Sequence, residues 1–232
     1  MLNLGFNLWQ RQGVAAPPSN YSLSFDGVNG YVSAPDTALP NGMTDLSFTL
    51  WLKTSVTTPD LYALSWGTAG PGSFVSLGID FGGGGPFVIV DTLGLSTAPT
   101  NYADGAWHCV QFVYTDAVPQ WDLYVDGNHT TATDHGNIAI NNGDGFNLGR
   151  SSVDAGKYLQ CKIYKPTIYT YALDGDQLAA LRDPAQDGVS LGYSPTLYYP
   201  FSEGSGSTCA DGSGNGIDGA LNGGVTWSVD HP

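Results

Sequence analysis

The residues with the clearest capacity for chemistry are three oxygen-bearing side chains near the end of the chain. Asp211, Asn215 and Asp218 lie in the glycine-rich run DGSGNGIDG. Hard oxygen ligands on flexible turns suit Ca²⁺, but the run lacks the bidentate Glu of an EF-hand. Asp and Asn are also common in turns without metal. The run therefore predicts either a structural calcium site, the one cofactor to which the sequence points, or plain turns.

Paired carboxylates for hydrolysis are not evident. Glycoside hydrolysis needs two carboxyl groups about 5 to 10 Å apart, and the chain has a single glutamate, Glu203, in the run FSEGSGS. No sequence motif supports a catalytic pair of carboxylates that includes an aspartate. The histidines show no metal-ligand spacing. We therefore predict that the chain is not an enzyme, and we assign no catalytic residue.

Four residues are candidates for carbohydrate binding, which uses aromatic faces beside polar side chains. They are Tyr62, Trp66, Asn101 and Tyr102. For Trp66, packing in the core is the stronger alternative. Trp107 and Trp121 are predicted to be core residues from their positions in strands.

Residues 104–127, DGAWHCVQFVYTDAVPQWDLYVDG, predict a β-hairpin. Apolar side chains alternate along both halves, which is the period of a half-buried strand. The intervening Asp116 and Pro119 favour a loop, and Asp126-Gly127 favours a tight turn. The face of this hairpin that looks toward the core is expected to carry Val110, Phe112, Tyr114, Trp121, Leu123 and Val125.

Composition predicts a single β-sandwich with one helix. The 232 residues include 32 Gly and 14 Pro, and Asp-Gly and Asn-Gly dipeptides recur throughout, which is typical of many short strands joined by turns. The helix is expected at 175–181, with Asp174 and Gln177 forming a capping box and Leu173 packing on Leu178.

Three ordered motifs resemble the laminin-G-like branch of the concanavalin A-like lectin/glucanase superfamily. They are LSFDGVNGYV at 23–32, the W-H-x-V to L-Y-V-D-G hairpin, and FNLGR, CKIYKPTIY and ALDGDQLAAL within 146–181. The resemblance covers roughly 20–227 and implies a jelly-roll sandwich of two antiparallel sheets with one short helix. In that arrangement Asp26 would approach Asp211 and complete the calcium set. The superfamily's paired-glutamate motif E-x-D-x-x-E is absent.

One strand departs from the family pattern. Where the family has I-D-E-V-x-I-Y, the chain has IYKPTIY at 163–169, without the acidic pair. Pro166 cannot donate a ladder hydrogen bond, so we expect this strand to lie at an edge or to carry a bulge.

Charge and cysteine content limit the partners. The net charge is −14, with only seven Lys and Arg, which disfavours nucleic acid and anionic membranes. Three cysteines cannot all pair within one chain. Cys109 and Cys161 lie in strand-like runs and are expected to be buried free thiols.

The two ends of the chain are predicted to differ in role. Residues 1–20 read as an arm and a tether, and the arm's alternating Leu2, Leu4, Phe6 and Leu8, with Trp9, are expected to bind a partner. The alternative is an edge strand of the chain's own sandwich. The arm has neither the basic start nor the apolar run of a signal peptide. Residues 21–232 form the sandwich, in which segment 197–227 resembles a family segment that usually comes first. It is expected to be circularly permuted, or exchanged with a second copy in a homo-oligomer.

These features lead to a functional hypothesis. The chain is predicted to be a non-enzymatic structural or adhesive module at a virion surface, such as a phage capsid decoration or tail component. Its arm would hold it to other virion proteins or to copies of itself. The alternative is an extracellular carbohydrate-binding module, and a glycoside hydrolase is a weaker third.

Overall fold

A computed structural model describes residues 21–42, 44–70, 73–79, 86–90, 93–96, 101–118, 120–133, 139–154 and 156–232. The predicted arm residues Leu2, Leu4, Phe6, Leu8 and Trp9, and the whole of 1–20, lie outside these ranges. The elements are β1 (Ser22–Asp26), β2 (Tyr31–Ala34), β3 (Leu46–Lys53), β4 (Tyr62–Gly67), β5 (Phe74–Ile79), β6 (Pro86–Val90), β7 (Leu93–Ser96), β8 (Trp107–Thr115), β9 (Gln120–Val125), β10 (Asn128–Ala132), β11 (Phe146–Leu148), β12 (Gln160–Tyr169), α1 (Gly175–Ala180), β13 (Leu197–Tyr198), β14 (Thr208–Cys209), β15 (Gly219–Asn222) and β16 (Thr226–Ser228).

The described strands form two antiparallel sheets that enclose one main core. Sheet I has the order β10-β9-β8-β3-β12-β1-β16, with β13 paired to β12, and sheet II has the order β14-β15-β2-β11-β4-β5-β6-β7. Phe48 of sheet I meets Trp66 of sheet II edge to face, with ring centroids 6.3 Å apart. The predicted all-β sandwich with one short helix is therefore confirmed among the described residues.

The predicted hairpin is β8 and β9, paired in register from Val110 opposite Val125 to Thr115 opposite Gln120. Its six predicted core residues, which include Trp121, are all buried. The prediction for Trp107 is wrong. Trp107 shares the strand phase of Cys109, which faces away from the main core, and it is half-buried on the outer face of sheet I.

The strand β12 carries the predicted bulge, but it is not an edge strand, because it lies between β3 and β1. Its register with β3 shifts between Tyr164 and Thr167. Lys165 takes a left-handed φ of 47° at this point, and the Pro166 carbonyl accepts a hydrogen bond from the Tyr199 amide. A bulge thus places the proline where no ladder donor is needed.

Helix α1 covers sheet I from outside. The Asp174 side chain accepts a hydrogen bond from the Gln177 amide, and the Gln177 side-chain oxygen accepts one from the Asp174 amide, so the predicted capping box is confirmed. Leu173 and Leu178 pack together in a second apolar cluster with Val113 and Tyr169.

The three cysteines, Cys109, Cys161 and Cys209, are buried free thiols, as predicted for the first two. Burial raises the pKa of the Cys109 thiol to about 12. The thiolate is the reactive form of cysteine, and burial disfavours it. We therefore assign these buried thiols a packing role.

Segment 197–227 contributes β13 to β16, which pair within the same chain. In particular, β15 pairs with β2, and β16 pairs with β1. Its permutation and its exchange between copies stay predictions. No helix in the described part of the chain has the length and apolar character needed to cross a membrane.

Candidate functional site

The structure gives Asp211 a role in turn geometry. Its Oδ1 accepts hydrogen bonds from the amides of Tyr198 and Ser213, at 3.1 and 2.9 Å. Its Oδ2 accepts from the Ser213 hydroxyl and the Ile217 amide, at 2.8 and 3.1 Å. Burial raises the pKa of this carboxyl, but these hydrogen bonds outweigh it and hold the pKa below its usual range. Four donors thus occupy the oxygens that a cation would need.

The other predicted calcium ligands also bind their own turns. Asp218 Oδ1 accepts from the Asp211 amide, and Asn215 Nδ2 donates to the Thr196 carbonyl. Asp26 Oδ1 accepts from the amides of Val28, Asn29 and Gly30. Within the described ranges, which include all four residues, no three His, Cys, Asp or Glu side chains converge as a metal site would require. The structure therefore does not unite Asp26 with Asp211 and Asp218, and calcium binding stays a prediction.

Two of the residues predicted to bind carbohydrate are core residues. Trp66 has no exposed surface, and its Nε1 donates to the Pro40 carbonyl at 3.3 Å. Tyr62 is 7% exposed, and its hydroxyl donates to Asp60, which Lys157 also binds. Neither ring presents a face to solvent, so Tyr62 is not placed for the sugar contact predicted for it, and Trp66 takes the predicted alternative of core packing.

Asn101 and Tyr102 lie in the loop that precedes β8. Asn101 Oδ1 accepts from the Ala103 amide, and the half-buried Tyr102 ring meets the His108 imidazole edge to face at 5.0 Å. The structure therefore does not bring the four predicted carbohydrate-binding residues together. Sugar contact at Asn101 and Tyr102 stays a prediction.

His108 joins the start of β8 to the turn that ends β9. Its Nδ1 lies 2.7 Å from Asp126 Oδ2, and its Nε2 lies 3.0 Å from Asp104 Oδ1. Desolvation lowers the pKa of the imidazole, but the hydrogen bonds and charges of Asp126 and Asp104 outweigh it and raise the pKa above its ordinary value. The imidazolium is thus the form that the fold favours.

We expect this contact to weaken in alkaline solution. Since the pKa is raised in the folded state, the stabilisation is complete below the unfolded value of about 6.5 and is lost as pH rises through the folded value. The carboxylates are partly exposed, so the loss is about 1 kcal/mol at most. Unfolding of wild type and His108→Gln in urea between about pH 6 and 9 measures it. A difference in the free energy of unfolding between the two proteins that does not change with pH would contradict a stabilising role for the His108 imidazolium.

A groove on the outer face of sheet II is a better candidate for ligand binding. It has a volume of about 390 Å³ and lies over β15, β2 and β11. Ser33 and Asn147 face each other across two of these strands. Asp144, Asp218 and Arg150 also line the groove, so it offers both donors and acceptors.

The Arg150 guanidinium is held in one orientation. Its Cζ lies 3.6 Å from the centroid of the Tyr31 ring, and its Nε donates to Asn147 Oδ1 at 2.9 Å. The stack and the hydrogen bond together fix the planar guanidinium. Among the described residues, neither Nη atom has a hydrogen-bond acceptor. We call this site the Arg150 groove.

In the sequence, Arg150 is the last residue of the motif FNLGR, and the motif alone predicts no binding role for it. The signal that could have identified it is scarcity, because the chain has seven Lys and Arg in all. In so acidic a chain, a basic residue next to a strand indicates a specific structural or binding role. Its stacking partner Tyr31 is far away in sequence, so the orientation of the guanidinium could not be read.

The single glutamate has a structural role. Glu203 Oε1 accepts a hydrogen bond from the Ala210 amide, which connects the loop before β14 to the residue that follows this strand. Its oxygen is therefore committed to loop geometry.

Residues 26–179 match the family model Laminin_G_3, whose description is the concanavalin A-like lectin/glucanases superfamily. This range is more than half of the chain. The chain belongs to this laminin-G-like family. No curated protein matches the laminin-G-like chain.

Three solved structures share its fold. A proposed carbohydrate-binding protein from Bacteroides ovatus is 18% identical with a TM-score of 0.68, and the match covers 90% of this chain and 59% of that protein. The heptameric SAP-like pentraxin from Limulus polyphemus is 12% identical with a TM-score of 0.55, covering 73% and 84%. The CBM40 of the IT-sialidase from Ruminococcus gnavus is 16% identical with a TM-score of 0.52, covering 67% and 98%. At these identities the likeness establishes the fold alone.

Proposed function

We propose that this laminin-G-like domain is a non-enzymatic carbohydrate-binding module whose ligand lies in the Arg150 groove. The observation that carries the proposal is the stacked guanidinium, whose Nη atoms have no partner among the described residues. Two structures with the same fold are named as a proposed carbohydrate-binding protein and a CBM40, which supports this class of function. Such a role is compatible with an extracellular or cell-surface location.

The groove's charge favours a neutral sugar. The groove is lined by two carboxylates, those of Asp144 and Asp218, and by one guanidinium, that of Arg150. It therefore has an excess of negative charge. Sugar hydroxyls both donate and accept hydrogen bonds. They can donate to the two carboxylates and accept from the Nη atoms, whereas an anionic ligand would be repelled.

The Arg150→Gln variant tests this proposal. We expect wild type to bind at least one member of a panel of neutral oligosaccharides, measured on a glycan array and then by calorimetry. Loss of the charged donors should weaken binding roughly tenfold or more. Arg182→Gln is the matched control, because Arg182 lies outside the groove, and it should bind as wild type does.

The proposal fails if the panel shows no ligand, or if Arg150→Gln binds the ligand as tightly as wild type while both proteins remain folded. Catalysis is a separate outcome. Cleavage of the bound oligosaccharide by wild type would contradict the non-enzymatic part of the proposal and leave the binding site intact.

The virion hypothesis rests on the alternating arm, which lies outside the described residues. Deletion of residues 1–20 tests it by co-sedimentation with particles that carry the protein. A particle-bound role requires that the deletion abolish co-sedimentation. Unchanged glycan binding by the deleted protein would separate this role from the Arg150 groove.

A further inference from the structure

The register of sheet I brings two lysines together on its outer face. Lys53 of β3 is directly opposite Lys162 of β12, and on its other side it is opposite Trp107 of β8. Like charges directly opposite each other destabilise a sheet. Two of the chain's few cations are thus neighbours in spite of their repulsion.

One carboxylate from beyond β16 joins these side chains. Asp230 Oδ2 accepts from Lys53 Nζ at 3.0 Å and Lys162 Nζ at 2.6 Å, and its Oδ1 accepts from Trp107 Nε1 at 3.0 Å. Two ammonium groups share one carboxylate, so one positive charge is left uncompensated. Each ammonium has three N–H donors and gives one to Asp230, so donors also remain.

A pocket of about 210 Å³ opens beside this pair of lysines. Lys53 and Lys162 line it, and Phe25 and Cys161, whose side chains are buried in the main core, also border it. Ser24, Ser55 and Gln160 add polar side chains, and none of its lining residues is acidic. The lining carries two ammonium groups and no carboxylate of its own, and Asp230 beside them supplies one negative charge against two positive ones, which favours an anionic ligand.

We propose that this pocket is a second binding site, which takes a small hydroxylated carboxylate of the sugar-acid type. Lys53 and Lys162 bind the carboxylate with their remaining N–H donors, and the polar side chains bind the hydroxyl groups. Asp230 holds the two ammonium groups in place. The pocket is formed by strands of sheet I, so it is separate from the Arg150 groove of sheet II, and its ligand is an anion whereas the ligand proposed for the groove is neutral.

D-Gluconate and D-glucitol form a matched pair of probes, because they differ only in a carboxylate in place of a CH₂OH group. The Nε1–H signal of Trp107 in a ¹⁵N-labelled sample, assigned with Trp107→Phe, reports on the site. We expect gluconate to shift this signal saturably in the millimolar range, which is roughly the affinity of one charged contact pair and a few hydrogen bonds. Glucitol should leave it in place.

Variants identify the groups responsible. Lys53→Gln and Lys162→Gln should each weaken gluconate binding about fivefold or more, because each removes a charged donor from the pocket. Lys157→Gln is the control, since Lys157 pairs with Asp60 outside this pocket. Arg150→Gln should also have no effect, which keeps this test independent of the Arg150 groove.

Three results would overturn the proposal. They are no saturable shift with gluconate, an equal shift with glucitol, or an equal loss of binding in Lys157→Gln and Lys162→Gln. Inorganic phosphate serves as a third probe, and binding tighter than that of gluconate would overturn the assignment of a carboxylate ligand.

Discussion

Replacing Trp66 by alanine is expected to lower the free energy of unfolding by about 3 to 5 kcal/mol, which is the range for large aromatic side chains removed from a core. Trp66 is fully buried, and it packs edge to face on Phe48 of the opposite sheet. Its loss leaves a cavity between the sheets. The Pro40 carbonyl, which now accepts from Nε1, loses its partner as well. Urea unfolding followed by circular dichroism measures the change.

The control for this prediction is Trp51→Ala, on the outer face of sheet I. Trp51 is half-buried, so its removal opens no cavity between the sheets, and the loss should be about 1 to 2 kcal/mol. A Trp66→Ala protein as stable as wild type, with carbohydrate binding selectively lost, would restore Trp66 as a ligand-binding residue.

The sequence alone predicted the elements whose determinants are local. The hairpin of β8 and β9 follows from two-residue alternation between turn residues. Helix α1 follows from Asp174 and Gln177, which are three residues apart and cap the same turn. Pro166 predicted either an edge strand or a bulge because a proline cannot donate to a ladder, and the structure has the bulge. In each case the residues that decide the structure are neighbours along the chain.

The sites depend on register, which the sequence does not show. Lys53 and Lys162 meet because β3 pairs with β12, and Asp230 reaches them only after β16 has paired with β1. Arg150 finds Tyr31 across β11 and β2 in the same way. The incorrect assignments have a related cause. Trp107 is predicted to be a core residue but lies on the outer face of β8. Tyr62 is a candidate for sugar contact, and Trp66 is one as the weaker of two alternatives, because the burial of both faces of β4 cannot be read from its residues.

Replacing Asp211 by alanine is expected to lower the free energy of unfolding by about 3 kcal/mol, because four donors lose a charged acceptor. Among them are the amides of Tyr198 and Ile217, which the carboxylate connects across the loop between β13 and β15. Asp211→Asn keeps one acceptor oxygen and should lose about half as much. Thermal and urea unfolding in the presence of a chelator measure both losses without any contribution from calcium.

Asp218→Asn separates turn chemistry from metal binding at this loop. Its side-chain oxygen can still accept from the Asp211 amide, so the turn should survive with a loss below about 1 kcal/mol. A calcium ion held by both aspartates would need both charges. In that case a chelator would lower the melting temperature of wild type, and Asp218→Asn would abolish this effect as fully as Asp211→Asn does. Because the Asp211 oxygens already accept four hydrogen bonds, we expect the same melting temperature with chelator and with added calcium. A calcium-dependent rise would mean that the loop rearranges to release those donors.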